Sequence, residues 1–415
     1  MNLRHCFSTG ILPALLVITG SATLCAQTSF KFDFGNGKPA AGWIQVSPTN
    51  LYSREMGYGF EPGAKMFFEN LKVPSLTSTN PFYFSVKVPA GNYQVTVTLD
   101  EGSVTTIKAE QRRLMLEHKL TAKGKTATWS FVVNVRTPRI SAAAKVSLKK
   151  RELETETVDW DEKLTLEFND AKPCLTQLKV EKVEVPTIFI AGDSTVCDQP
   201  AEPWNSWGQM LPRFFNAGVA VANYAESGES IRSSLGAHRF DKVFSLMKPG
   251  DYLFVQFGHN DMKDKATNAL ETYKANLKKI IARTRELGGT PVLVTSMERK
   301  GGVEQDTLAG YPQTVRDVAA EDKCALIDLH AMSRTFYRAL KADLGKAFQD
   351  GTHHNNYGSY ELAKCIIARI KQDQLPLAKF IVDDFGVFDP AKPDDVNTFE
   401  MPASPTVSTE KPLGN

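Results

Sequence analysis

The sequence predicts two folds in series: an antiparallel β-sandwich over residues 27–185, then an α/β domain with a parallel sheet over residues 186–390. Three observations predict them. The chain has 415 residues, more than one hydrophobic core usually supports. Up to about Glu184 the apolar residues recur with period two, the mark of half-buried strands. After Val185-Pro186 short apolar runs alternate with segments of helical spacing, the mark of a parallel sheet covered on both faces.

The elements follow in order. Residues 1–26 read as a secretory signal peptide: Arg4 and His5, then an apolar run from Ile11 to Ile18, then small residues up to Ala26. The run is too short for a permanent membrane anchor. Cys25 raises a lipoprotein alternative, against which stands Leu24 where a small residue should precede the lipidated cysteine. In the sandwich, Phe30, Phe32 and Phe34 alternate with Lys31 and Asp33; Tyr93, Val95, Val97 and Leu99 alternate with polar residues; so do Leu164, Leu166 and Phe168. Turn signals such as Pro89-Ala90-Gly91-Asn92 separate the strands, and no convincing amphipathic helix intervenes. Trp43 and Tyr58 are candidates for stacking on sugar, although an aromatic in a sandwich is more often core. In the second domain, strands are expected at Thr187–Ala191, Val219–Ala222, Tyr252–Val255, Val292–Val294 and Ala325–Ile327. Tyr273, Leu277, Ile280, Ile281 and Thr284 trace one helical face; Tyr360, Ala363, Ile367 and Ile370 trace another near the end. Residues 391–415 form a Pro-rich C-terminal tail.

Composition narrows the function classes. A hydrophobic content of 42% and a charged content of 23% are those of ordinary globular protein. The formal charge is +2, and +1 without residues 1–26, whose sole charged side chain is Arg4. Such a balance leaves no electrostatic footprint for nucleic acid or an anionic membrane. Cys174, Cys197, Cys324 and Cys365 are too widely spaced for a compact disulfide framework and form no CxxC metal signature. Disulfide pairing and buried free thiols both stay open.

Three blocks supply what an ester hydrolase needs: Gly192-Asp193-Ser194-Thr195, Gly258-His259-Asn260-Asp261 and Asp350-Gly351-Thr352-His353. A serine hydroxyl needs an imidazole to take its proton and a carboxylate to orient that imidazole. Ser194, His353 and Asp350 can fill those roles, and the Asn260 amide is a natural donor to a developing oxyanion. Singly, each block has a plainer reading. Gly-Asp-Ser is an ordinary strand-to-helix turn with a capping side chain, and Asp350 and His353 with His354 offer a metal reading, without a further ligand at matching spacing. Asp193 is expected to cap the turn, and His259 and His330 to be structural. The conjunction of blocks, in order after the strand ends, carries the reading.

Together with a glycine block at Gly228, these motifs resemble the SGNH, or GDSL-like, hydrolases over roughly residues 186–390. The resemblance implies a flavodoxin-like three-layer α/β/α domain. It implies Ser194 as nucleophile, His353 as general base and Asp350 as its partner, with an oxyanion hole from the backbone of Ser194 and Gly228 and the side chain of Asn260. It implies neither cofactor nor metal. The preceding sandwich is similar to the galactose-binding-like jelly rolls of secreted carbohydrate enzymes. Trp204 to Leu211, Tyr311-Pro312, Leu326 to His330 and Phe388-Asp389-Pro390 further resemble the rhamnogalacturonan acetylesterase branch. That narrower resemblance implies an acetylated polysaccharide partner, with no nucleic acid and no membrane once the signal is removed. One departure is Gly228-Glu229-Ser230, where Gly-Arg-Ser is expected. Arg232 and Arg299 fall where loops border the site and are the expected substrate-binding residues. Acetyl xylan esterase, another small-acyl esterase or lipase, and a non-catalytic carbohydrate-binding protein are the rival readings. The sequence also implies export, and a piece from about residue 186 onward is expected to hydrolyse a small ester alone.

Overall fold

The computed structural model describes residues 27–69 and 75–413. The expected signal peptide lies outside the described residues. Among these, the first domain packs two five-stranded sheets face to face. One runs in the order Ala127–Val135, Gly91–Leu99, Gln177–Lys182, Ser29–Asp33, Ile44–Gln45. The other runs Tyr58–Phe60, Phe82–Lys87, Lys163–Lys172, Val104–Ala109, Arg113–Leu120. Pairing is antiparallel except where Ser29–Asp33 meets Ile44–Gln45 in parallel. The period-two apolar residues turn inward, and Phe32, Phe34 and Phe60 each place a ring 5.2 Å from that of Phe84. Tyr58 belongs to this stack, 5.0 Å from Phe32, so its ring is spent on packing. Trp43 lies half-buried under the Lys179 ammonium.

A short helix at Lys150–Glu154 and a 3-10 turn at Thr157–Asp159 interrupt the segment expected to hold strands alone. The helix is too short to show a hydrophobic period. It is fixed instead by Glu152, whose carboxylate accepts the Lys149 N–H and the Trp160 indole N–H.

The second domain holds β1 (Thr187–Gly192), β2 (Ala220–Asn223), β3 (Tyr252–Gln256), β4 (Thr290–Val294) and β5 (Ala325–Ile327). They form one parallel sheet in the order β2-β1-β3-β4-β5. Its helices are α1 (Ile231–Gly236), α2 (Arg239–Leu246), α3 (Ala269–Glu286), α4 (Tyr311–Glu321), α5 (Leu329–Leu340) and α6 (Asn356–Gln372). Strand residues alternate between two cores. Ile188 and Ile190 join the layer of α5 and α6; Phe189 and Ala191 join that of α1 to α4. This is the three-layer arrangement, and the strand order reverses beside β1, so loops at the carboxyl ends of β1, β2 and β3 open around one crevice.

Two expectations change. The α6 helix is buried almost all round from Tyr357 to Ile367 rather than on one face, because residues after 390 lie over it. Phe399 stacks edgewise on Tyr357 at 5.3 Å and packs on Tyr360 at 5.4 Å. That segment then runs back along the domain seam as a strap, with the Pro402 carbonyl accepting from the Lys108 ammonium and the Ser408 carbonyl from the Trp204 indole. Secondly, the sandwich does not stand apart. Leu114, on a sandwich strand, is fully buried in the core of the α/β domain among Met210, Leu211 and Phe214. The isolated piece from residue 186 would leave the place of Leu114 open to water.

Leu114→Ala in the full-length chain should therefore destabilise the α/β domain, by about 2–5 kcal/mol for a buried leucine. Thermal unfolding followed by fluorescence of Trp204 and Trp207, both in the second domain, checks this; an unchanged transition there would contradict the shared core.

Candidate active site

Gly192 ends β1 where a side chain would not fit: a Cβ there would lie 2.6 Å from Val196 Cγ2 and 2.8 Å from the Gln256 carbonyl. The chain can therefore fold tightly back under the strand end. Asp193 Oδ1 then accepts the Thr195 N–H at 2.9 Å and its hydroxyl at 2.7 Å, and the Asp193 carbonyl accepts the N–H of Val196 and Cys197. This turn holds Ser194, 3% exposed.

His353 comes from the loop before α6, whose first turn is capped by the Asn355 side chain. Its Nε2 lies 2.8 Å from Ser194 Oγ, and its Nδ1 lies 2.9 Å from Asp350 Oδ2. The other Asp350 oxygen accepts the backbone N–H of Thr352 and His353 at 2.7 and 2.6 Å. Burial alone would push this carboxyl up, but the bonds from His353 and Thr352 outweigh it and hold Asp350 down to about 2. A serine, an imidazole and an ionised carboxylate are thus joined in one hydrogen-bonded line. Trp204 sets its ring edgewise to His353, with centroids 5.9 Å apart.

Gly228 follows β2 at φ +76°, in the left-handed region, and a Cβ there would press on Leu413 at 3.2 Å. Asn260 follows β3. Its amide donates to the Glu229 carbonyl at 3.0 Å while its oxygen accepts from Lys263, which fixes the amide's orientation toward the Gly228 loop. The departure at Glu229 has a local reason. Its carboxylate turns away from the crevice to the Lys149 ammonium at 2.8 Å, and Lys149 also donates to the Ser227 carbonyl. A cation contributed by the sandwich stands beside the glycine loop.

The two arginines diverge. Arg232 is 68% exposed in its side chain and pairs with Asp264 at 3.0 Å. It lines a cavity of about 490 Å³ beside Asn260, where Lys263 adds a second cation and Asp261 and Asp264 add two carboxylates. The guanidinium of Arg299 donates to the carbonyls of Thr307 and His259, at 3.2 and 3.3 Å. A half-buried guanidinium must satisfy its donors, and here it does so by bracing the Gly258-His259 loop. Among the described cysteines no disulfide forms; Cys174, Cys197 and Cys365 are buried, Cys324 partly so.

Sequence reasoning missed Gln199. Buried five residues beyond Ser194, its amide donates to the Ser194 carbonyl at 2.6 Å and reaches the Ser227 hydroxyl at 3.4 Å, tying the serine loop to the glycine loop. No spacing rule marks such a residue.

Comparison with known proteins agrees with this architecture. Residues 190–359 match the GDSL-like Lipase/Acylhydrolase family, and residues 30–141 match the Beta-agarase/YXIM esterase-like, galactose-binding domain-like family. The chain is 33% identical to the rhamnogalacturonan acetylesterase RhgT of Bacillus subtilis over 48% of its own length and 95% of that protein. It is 26% identical to the uncharacterized esterase YxiM of the same organism over 83% of its own length and 91% of that protein. A crystal structure of the Bacillus subtilis YxiM protein aligns with 84% of this chain and 99% of that one, at 25% identity and a TM-score of 0.46.

Proposed function

The chain belongs to the GDSL-like lipase/acylhydrolase family of carboxylic ester hydrolases, and on that footing we propose that it removes acetyl groups from pectic rhamnogalacturonan with Ser194 as nucleophile. The observation that carries the mechanism is the line from Ser194 Oγ through His353 to Asp350, at 2.8 and 2.9 Å. His353 Nε2 takes the serine proton as Oγ attacks the acetyl carbonyl. The Ser194 and Gly228 backbone N–H groups and the Asn260 amide receive the negative charge on the carbonyl oxygen. His353 then gives its proton to the departing sugar hydroxyl, leaving an acetyl-serine. Water, deprotonated by the same nitrogen, attacks that ester, and the collapse releases acetate and restores Ser194. Asp350 stays ionised throughout.

The substrate reading draws support from the rhamnogalacturonan acetylesterases that this chain resembles. The cavity beside Asn260 offers Arg232 and Lys263 to a carboxylate-bearing sugar, Arg232 being paired with Asp264. In this reading the enzyme is exported and meets its polymer outside the cytoplasm.

Ser194→Ala should abolish acetate release from acetylated pectin and from a small acetyl ester without loss of fold, as circular dichroism would show. Asn260→Ala should lower kcat by on the order of 10²–10³ with little change in KM; a pure rise in KM would make it a binding residue instead. Activity should also fall on the acid side. A general base works only unprotonated, so with Asp350 held down to about 2 and still ionised, kcat/KM should decline with falling pH along a one-proton limb set by that base. A flat acid side would remove His353 from the role of base. Arg232→Ala should weaken deacetylation of acidic pectic oligosaccharides more than of neutral acetylated xylan fragments. Equal losses on both, measured side by side, would leave an acetylesterase without preference for an acidic polymer.

A further inference from the structure

Between sandwich strands Val104–Ala109 and Arg113–Leu120 the chain makes a turn that ends inside the other domain. Glu110 and Arg112 both adopt left-handed backbone, at φ +54° and +62°, uncommon for residues with a side chain. The turn is held in that shape by what it touches. The Gln111 amide donates to the Asp198 carbonyl at 3.0 Å, and the Gln111 carbonyl accepts from the Gln209 amide at 2.7 Å. One Arg112 nitrogen donates to the carbonyls of Gln199 and Trp204, at 3.1 and 3.0 Å, and the other pairs with Glu202 at 2.6 Å. Arg113 lies 3.2 Å from Asp198. All four turn residues are buried.

Apart from Gln209, the partners of the turn lie on one stretch of chain, residues 198–204, shortly after the candidate nucleophile. That stretch carries one group that touches each member of the candidate pair. Gln199 holds the Ser194 carbonyl and reaches the Ser227 hydroxyl, and Trp204 packs edgewise on His353. We propose that the sandwich turn Glu110–Arg113 is part of the catalytic apparatus: Gln111 and Arg112 are positioning residues that fix Gln199 and Trp204, and through them Ser194 and His353. A sandwich whose sole task is to bind sugar needs no buried turn against this loop. The inference rests on Ser194 acting as nucleophile.

The test uses the full-length chain, a small acetyl ester and a fluorophosphonate that labels active serines. Gln111→Met keeps the volume and removes the donor. Arg112→Lys keeps a charge beside Glu202 but cannot span both carbonyls, and it serves should Gln111→Met not fold. Ser85→Ala, a buried sandwich residue bonded to Glu61 and Thr165, is the control for general destabilisation. Misplacement of reacting groups should lower kcat between about tenfold and a hundredfold with KM nearly unchanged. The fluorophosphonate labelling rate should fall by the same factor, whereas Ser85→Ala lowers Tm and leaves both rates alone. Wild-type kcat and labelling in a folded Gln111→Met or Arg112→Lys chain would overturn the proposal, as would a loss no larger than that of Ser85→Ala at equal loss of Tm. If Ser194→Ala itself retained turnover, the nucleophile assignment would fall first; if it were inactive while the turn variants worked normally, the positioning role alone would fall.

Discussion

A guanidinium taken out of water must find an anion for its charge, or the fold bears several kcal/mol for each one buried. The seam between the two domains is built around that constraint. Arg112, Arg113 and Arg136 are all buried there, and their counter-charges come from both sides: Asp159 from the sandwich, Asp198 and Glu202 from the α/β domain. Neither domain can satisfy these groups alone. Removing one partner of such a pair typically costs about 3–5 kcal/mol, since the other is left charged and dry, so the seam fixes the domains in one relation rather than merely joining them.

That relation reaches the candidate site because two anions of the seam, Asp198 and Glu202, sit on the loop following Ser194. A second brace acts on the opposite loop: Arg151 pairs with Glu226 at 2.6 Å, and Lys149 with Glu229, on either side of Gly228. The sandwich thus holds two loops of the candidate site, the serine loop through Arg112 and the glycine loop through Lys149. Preorganisation of this kind costs nothing at the moment of reaction, because ordering of the loops is part of folding.

The two folds were legible in the sequence because each writes its burial into a local period. Phe30, Phe32 and Phe34 alternate, Tyr273 to Thr284 follow a helix, and both patterns survive in the structure. The serine, asparagine and histidine blocks were legible because each lies directly beyond a strand or before a helix, where a short motif has a defined place. The seam was not. Leu114 satisfies a strand's alternation equally well whether it faces its own sandwich or a neighbouring domain, and the partners of Gln111 and Arg112 lie more than eighty residues away in the chain. The carbonyl partners of Arg299 were not legible for a related reason: position on a loop does not say which neighbouring groups a guanidinium meets. Prolines after residue 390 likewise signal an irregular course without saying what that course covers.

The histidines show how burial assigns different work to similar chemistry. His259 stands 3.4 Å from the Asp193 carboxylate, much as His353 stands beside Asp350. Yet its other nitrogen is engaged with the Met297 carbonyl at 3.0 Å, and Asp193 is occupied by Thr195. That pair has no nitrogen left to face a substrate and serves to hold the turn. His354 follows His353 directly, but its Nε2 meets the Tyr337 hydroxyl at 2.9 Å, and burial, with His353 and His259 nearby, pushes it down to about 3. It stays neutral near neutral pH and is no candidate for the base. Of the three, only His353 sets one nitrogen on an ionised carboxylate and the other on a serine hydroxyl. The role therefore follows from where each second nitrogen points, which no motif records.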